Sequence, residues 1–457
     1  MPYFIIAYLP LSLEKKSAMK IMKFGGTSVG KPERMHQVSQ LITRDNEPTI
    51  VVLSALSGTT NALVEISKSL GSADKKAATE KVEVLEKQYR AFILELLSGE
   101  ALREKANEII TEHFEFLKIT QKISLSDALN KDILAQGELM STKLFSLYLE
   151  QEKIEHALLP ALDFMQLDLN DEPDLVAIAE KIKKVLAAHP TSNLFITQGY
   201  ICRNAKGEVD NLKRGGSDYT ASLIAAAVHA SVCEIWTDID GMHNNDPRVV
   251  EKTVAIEQLS FDEAAELAYF GAKILHPTCI WPAQQENIPV RLLNTMEPTA
   301  AGTVIKKEAG SVGVKAVAAK DNIIAIKIKS SRMLLAYGFL RKIFEVFEKY
   351  KTPIDMITTS EVAVSVTIDT DVHLHEIIAE LNLIALVEVE KNQTIVSIVG
   401  NEIAQTESVL KKLFDAIDEV PVTMVSYGGS HHNISLLVPS AYKTKTLQLV
   451  NKGLFNL

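Results

Sequence analysis

Lys23, Glu138, Arg214 and Asp218 are the residues of this chain best suited to hold a small charged molecule. Lys23 stands just before Gly25 and Gly26 in the segment IMKFGGTSV (21–29), and two hydroxyls follow. Glycines remove the Cβ that keeps a ligand away from backbone N–H groups, and the lysine adds positive charge beside them. A phosphate cradle and a plain tight turn are both open readings of that stretch. A Walker loop is not, because Gly25, Gly30 and Lys31 are followed by Pro32 where that motif needs a Ser or Thr hydroxyl. In RGGSD (214–218), two residues without side chains lead into an alanine-rich helix. Helix amides could receive an anion there, and Arg214 could grip a carboxylate with two parallel hydrogen bonds. A glycine turn with Ser217 or Asp218 as cap explains the same residues, Arg214 excepted. Gly137 and Glu138 fall inside a helical pattern (AQGELMST, 135–142). A mid-helix glycine calls for a packing or ligand reason. Glu138 could receive an ammonium group, although a mid-helix glutamate is ordinarily a solvated charge.

The elements that must position these residues read as alternating strands and helices. Segment 21–24 is a strand, Pro32 suits a helix start, and 33–44 reads as a short helix. TIVVL (49–53) is a continuous β-branched run, as expected of a strand buried on both faces of a parallel sheet. Its hydroxyl-rich continuation, 54–61, is the kind of loop that holds ligands at the carboxyl edge of an open α/β sheet, though Ser54 and Thr60 could simply cap a helix. From 76 to about 150 the pattern is helical. A helix at 174–188, a strand at 194–199, a hairpin through 204–207 and a helix at 219–230 follow. VCEIWTD (232–238) is a further strand, and its loop runs on to Asp246, Pro247 and Arg248. Ser260 and Glu263 have capping-box spacing at the start of a helix, and Lys273 follows its end, by default as a partner of the helix dipole. Segment 288–293 is another apolar strand.

After about residue 303 two units of strand, helix, strand, strand and helix follow in succession. In the first, the strands are placed at 323–329, 353–358, 362–368 and 385–390, with helices at 338–350 and 374–383. In the second, strands at 394–399, 420–426 and 433–438 alternate with helices at 406–417 and 444–454. The order resembles a split βαβ sandwich. The second copy lacks its last strand, and the apolar segment at 312–318 is free to supply it.

The chain has 457 residues, of which 47% are hydrophobic and 23% charged. That is an ordinary globular composition with room for more than one core. A net charge of −10 argues against nucleic acid as the main partner. Cys202, Cys233 and Cys279 are scattered, odd in number and outside metal-ligand spacing, as expected of reduced buried thiols in the cytoplasm. The first 18 residues are too short an apolar segment to span a bilayer, and Pro10 interrupts them. A disordered or artefactual extension is expected there, with Met19 or Met22 as the start.

KFGGTSV (23–29), GELMS (137–141) and RGGSD (214–218), with WTD (236–238), DPR (246–248), FGAKILHP (270–277) and the tandem repeats, resemble the aspartokinases. The likeness runs from about Met22 to the end. It implies an α/β fold: a carbamate-kinase-like amino-acid-kinase domain, a three-layer α/β/α sandwich, over 19–305. Two interleaved ferredoxin-like ACT domains follow, at 320–391 and 392–457, the second completed by a strand from 311–319. No homoserine dehydrogenase domain follows the repeats, so a monofunctional enzyme is expected.

The implied reaction is transfer of the γ-phosphoryl group of MgATP to the β-carboxylate of L-aspartate, the entry to lysine, threonine and methionine biosynthesis. A carboxylate is already ionised at pH 7, so the obstacle is repulsion between anions, and catalysis is mostly positioning and cationic stabilisation. The resemblance assigns charge neutralisation to Lys23, oriented by Asp218, and phosphate contacts to Phe24, Gly25 and Gly26. Aspartate falls to Arg214, Glu138, Thr60 and Ser217, and the nucleotide to Thr237, Asp238, His243, Arg248 and Lys273. His243 departs from the tyrosine common at that position. Met333, Gly338, Phe339, Leu340, Asp355, Thr359, Ser360 and Glu361 match the lysine-sensitive members, with Asp355 or Glu361 as receptor for an effector ammonium group. Ala336 and Tyr337 depart from that pattern, and threonine is the rival effector. The likeness also implies a homodimer, possibly a tetramer. Alternatives are another carboxylate kinase of the same fold and a catalytically silent amino-acid sensor.

Overall fold

The computed structural model describes residues 19–213, 215–271, 275–308, 310–330 and 337–457. The expected N-terminal extension, Arg214, Lys273, Met333 and Ala336 lie outside the described residues. The chain forms two compact units, one up to Trp236 and one from Thr237 onward.

In the first unit the elements run β1 (Lys20–Phe24), α1 (Gly26–Val29), α2 (Pro32–Ile42), β2 (Thr49–Leu53), α3 (Thr59–Gly71), α4 (Lys75–Leu96), α5 (Glu100–Thr120), α6 (Asp127–Gln151), β3 (Ala157–Leu159), α7 (Leu175–Ala187), β4 (Leu194–Gln198), β5 (Ile201–Arg203), β6 (Val209–Asn211), α8 (Gly216–Val228) and β7 (Val232–Thr237). Five strands form a parallel sheet in the order β3-β4-β2-β1-β7. Ile50, Val51, Val52 and Leu53 are fully buried, as their continuous apolar run requires. Helix α8 packs on β1 and β2, and α6 on β2, β3 and β4. β5 and β6 are the expected hairpin. The Gly-Gly stretch is more than a turn, since Gly26 opens the one-turn helix α1.

The second unit contains β8 (Gln258–Ser260), α9 (Phe261–Tyr269), α10 (Pro277–Gln285), β9 (Val290–Asn294) and β10 (Thr303–Lys306), with strand order β9-β10-β8. The Ser260–Glu263 capping box opens α9 as expected. Then come β11 (Gly313–Lys329), α11 (Phe339–Lys349), β12 (Ile357–Thr359), β13 (Ala363–Ile368), α12 (Leu374–Leu381), β14 (Leu386–Asn401), α13 (Val409–Ala416), β15 (Met424–Ser426), β16 (Asn433–Pro439) and α14 (Lys443–Phe455). These strands form one antiparallel sheet, β12-β13-β11-β14-β16-β15.

The sequence reading divided what the fold joins. Segments 312–318 and 323–329 are one strand, β11, and 385–390 and 394–399 are one strand, β14; the two pair along their length. The interruption at Asp321-Asn322 is a register shift, with Asn322 at φ 62°, and Asn392 at φ 58° marks the matching irregularity in β14. Asn tolerates the left-handed region well enough to let a strand bulge and continue. Separate apolar cores lie on the two helix pairs, one around Ile326, Ile343 and Ile377, the other around Ile398, Leu413 and Leu447.

Candidate active site

In the first unit the carboxyl ends of β1 and β2 and the start of α8 converge. Lys23 Nζ lies 2.7 Å from Asp218 Oδ1, both side chains being largely shielded. The approach is an ion pair off the hydrogen-bonding direction, since that oxygen accepts no well-aligned bond. Ser54 Oγ donates to Ser217 Oγ at 2.9 Å, and the Ser54 carbonyl accepts from Ser141 Oγ of α6 at 2.8 Å. The next residue, Ala55, donates its N–H to Glu138 Oε1 at 3.3 Å. One loop therefore ties Ser217, beside Asp218, to the GELMS helix.

Glu138 is not a solvated charge. It is 3% exposed, and its second oxygen, Oε2, has no hydrogen-bond partner among the described residues. Burial pushes its carboxyl up from 4.5 to about 8, with the Ala55 amide pulling weakly the other way. An ionised carboxylate in that position wants a cation, so the pocket favours an ammonium group over a neutral one. Gly137 is explained by packing. A Cβ there would sit 2.8 Å from the Ala55 Cβ and 3.1 Å from Thr59 Cγ2, so only glycine lets α6 approach the loop this closely.

Other expected site residues in this unit are placed as follows. Gly25 caps α1, and its N–H points at the Trp236 carbonyl at 3.4 Å. Phe24 is fully buried and stacks on Trp236, so its side chain is core and its carbonyl already accepts from the Ser54 N–H. Thr60 lies in the first turn of α3 but does not cap it. Gly58, at φ 82°, holds the cap position, and no side chain bonds there. Ser54 is likewise no cap. The reading of the sequence missed Ser54 and the Ala55 amide as parts of the site; the hydroxyl-rich run 54–61 was the available signal.

The second unit carries a cavity of about 590 Å³ whose wall includes Thr237, Asp238, His243 and Arg248. Gly271 also lines it, and Lys273 beyond Gly271 lies outside the described residues. Gly271 has φ 125°, and a Cβ there would run into the Ala319 carbonyl of β11. His243 is held edge-on by Asp240 at 2.9 Å and Thr253 at 2.8 Å. Both ring nitrogens are thereby engaged, which fixes the ring plane at the cavity wall. Arg248 makes a two-bond fork with Asp246 at 2.9 and 2.8 Å while remaining largely exposed.

Of the expected effector residues, Gly338 caps α11 at φ 80°, Phe339 is buried, Leu340 is exposed, and Thr359, which ends β12, is exposed together with Ser360 and Glu361 of the connection to β13. Asp355 is not open. Its Oδ1 accepts from Lys320 at 2.6 Å and from the Tyr269 hydroxyl at 2.8 Å, and Lys320 also reaches Asp369 at 3.0 Å. Burial works against the Lys320 charge, but the two carboxylates outweigh it and hold the ammonium above its ordinary value. Asp355 Oδ2 is buried without a hydrogen-bond partner among the described residues, so an effector ammonium group could be received there or at Glu361. All three cysteines are buried and outside any disulfide, and burial raises the Cys202 and Cys233 thiols. Among the described residues no helix is long and apolar enough to cross a membrane.

Residues 18–294 match the amino acid kinase family and residues 396–454 an ACT domain. The chain is 34% identical to lysine-sensitive aspartokinase 3 of Escherichia coli over 453 residues, which spans 96% of this chain and 100% of that one. Its fold is similar to E. coli aspartokinase III in complex with aspartate and ADP (R-state), with a TM-score of 0.83 at 33% identity over 96% of this chain and 100% of that one. Against the lysine and aspartate complex (T-state) the TM-score is 0.78 at 33% identity, over 96% and 99%.

Proposed function

The chain belongs to the aspartokinase family, and on that premise we propose a division of labour among its residues. The enzyme phosphorylates the β-carboxylate of L-aspartate with ATP. Glu138 carries the reading: a buried carboxylate with one oxygen unpartnered among the described residues is a receptor for the substrate ammonium group. Arg214 takes the α-carboxylate, and Ser217, set by Ser54, and Thr60 close around the substrate. Lys23 is then the cation that offsets repulsion between the acceptor carboxylate and the phosphoryl group, and Asp218 holds its ammonium in place. No general base is required, because the nucleophile arrives ionised.

The cavity of the second unit takes the nucleotide, with Thr237, Asp238, His243 and Arg248 on its wall. Magnesium would be held by the nucleotide phosphates and water, its usual ligands in phosphoryl transfer; when bound it neutralises phosphate charge. Among the described residues no three His, Cys, Asp or Glu side chains converge on a common point. We further infer a cytoplasmic homodimer inhibited by lysine. The exposed edge strand β12 and the exposed apolar side chains of Tyr337, Leu340, Phe344, Ile357 and Val362 support pairing through the first regulatory repeat. The test of the Glu138 assignment is Glu138→Gln. It should raise the aspartate KM strongly and the ATP KM little; equal effects on both would remove Glu138 from the aspartate pocket.

A further inference from the structure

The nucleotide cavity is walled in part by the C-terminal helix. Lys443 and Leu447 of α14 line it, as do Val317, Ala318 and Ala319 of β11. Asn451 follows at the same helical spacing, on the face that carries Lys443 and Leu447. It is 1% exposed and fully engaged. Its Oδ1 accepts from Asn244 Nδ2 at 3.2 Å and from Asn245 Nδ2 at 3.3 Å, and its Nδ2 donates to the Lys252 carbonyl at 3.0 Å. Asn245 Nδ2 also donates to the Leu447 carbonyl at 3.1 Å, and Asn245 itself lines the cavity. The loop between these points carries Asp246 and Arg248, and His243 stands immediately before it. Its other fastenings are the Asn244 carbonyl, which accepts from Val317 N–H at 2.8 Å, and Asn244 Oδ1, which accepts from Val254 N–H at 2.7 Å.

The pattern is one of positioning. A single buried amide satisfies both ends of a cavity-lining loop, and buried amides left without partners are costly enough to move a loop. Lys443 adds charge on the same wall, and its ion pair with Asp321 at the β11 bulge sets where it points. Only Arg248 joins it as a fully charged cation among the described lining residues.

We propose that α14 is part of the nucleotide site: Asn451 is the positioning residue for the loop that follows His243 and bears Arg248, and Lys443 is a further nucleotide-binding cation. The proposal rests on the reading of this cavity as the nucleotide site. The closing experiment therefore carries a control for that reading. Using the full chain, ATP and aspartate KM values and ADP binding by calorimetry are measured for Asn451→Leu, Asn451→Asp, Lys443→Met and Asp238→Ala, each with a melting curve.

Asn451→Leu is expected to raise the ATP KM about 10-fold, with the aspartate KM changed less than about twofold, because the Asn244 and Asn245 amides and the Lys252 carbonyl each lose a hydrogen bond on the nucleotide side alone. Asn451→Asp keeps the acceptor and should recover part of the loss. Lys443→Met should weaken ADP binding and flatten its salt dependence; it also tests the proposal if Asn451→Leu does not fold. A merely structural Asn451 would lower the melting temperature while shifting both KM values alike, and that overturns the positioning role. If Asp238→Ala raises the ATP KM while folded Asn451→Leu and Lys443→Met do not, this inference falls and the cavity reading stands. If none of the variants affects nucleotide, both fall.

Discussion

Raising the pH from 6 to 8 is expected to tighten aspartate binding by about fifty-fold, through Glu138 alone. The buried carboxyl titrates at about 8, and only its ionised form receives the substrate ammonium group. At pH 6 roughly one molecule in a hundred is ionised and at pH 8 about half, and apparent affinity scales with that fraction. Among the described residues, two titratable groups register the Glu138 charge, Tyr89 and Tyr200. Both are held neutral by burial, with the Tyr200 hydroxyl pushed up to about 12. Calorimetry in buffers of different ionisation enthalpy should show close to one proton released per aspartate bound at pH 7. Glu138→Gln should remove both the release and the pH slope. The same group has a stability signature. Its folded value lies above its unfolded value of 4.5, so the folded protein holds the proton longer. Stability is then undiminished below about pH 4.5 and falls as pH rises towards 8, by an amount of the order of 5 kcal/mol at most. Glu138→Gln should therefore be more resistant to urea than the parent at pH 8. Aspartate binding that is flat from pH 6 to 8, with no proton released, would refute the argument.

Three further predictions bear on neighbouring parts of the account. Lys23→Met should lower kcat by about 10²- to 10³-fold with a small change in aspartate KM, whereas Arg214→Ala should chiefly raise that KM; steady-state kinetics showing the same profile for both would undo the division of roles. Gly137→Ala places a methyl against Ala55 and should cost about 1–3 kcal/mol in urea unfolding. It should also raise the aspartate KM, because the displaced loop carries the amide that holds Glu138. Lysine should inhibit at concentrations where threonine does not, and Asp355→Asn, which leaves Lys320 paired with Asp369, should raise the lysine concentration needed; inhibition by threonine alone would reject the effector assignment.

Much of the site was legible because its chemistry is carried by local signals. Gly25-Gly26 after a buried strand and Gly215-Gly216 before an alanine-rich helix each mark a close backbone approach that short sequences can specify. Glu138 was ambiguous for a physical reason. Its burial depends on α6 meeting the loop after β2, a contact between segments far apart in sequence, and nothing local distinguishes it from a solvated helix glutamate. For Ser54 and Thr60 capping stood open beside ligand binding, because hydroxyls ahead of a helix usually cap it, yet Gly58 took that position. The two long regulatory strands were divided at Asp321-Asn322 and Lys391-Asn392 because such pairs favour turns. In the sheet the same Asn conformations accommodate a bulge, and pairing with a long neighbour overrides the local preference.

The central claim is tested most directly by ADP release from MgATP with L-aspartate or L-glutamate as acceptor, each with and without lysine. The account predicts turnover with aspartate, little with glutamate, and suppression by lysine. A folded, ATP-binding protein that releases no ADP in response to aspartate would contradict it.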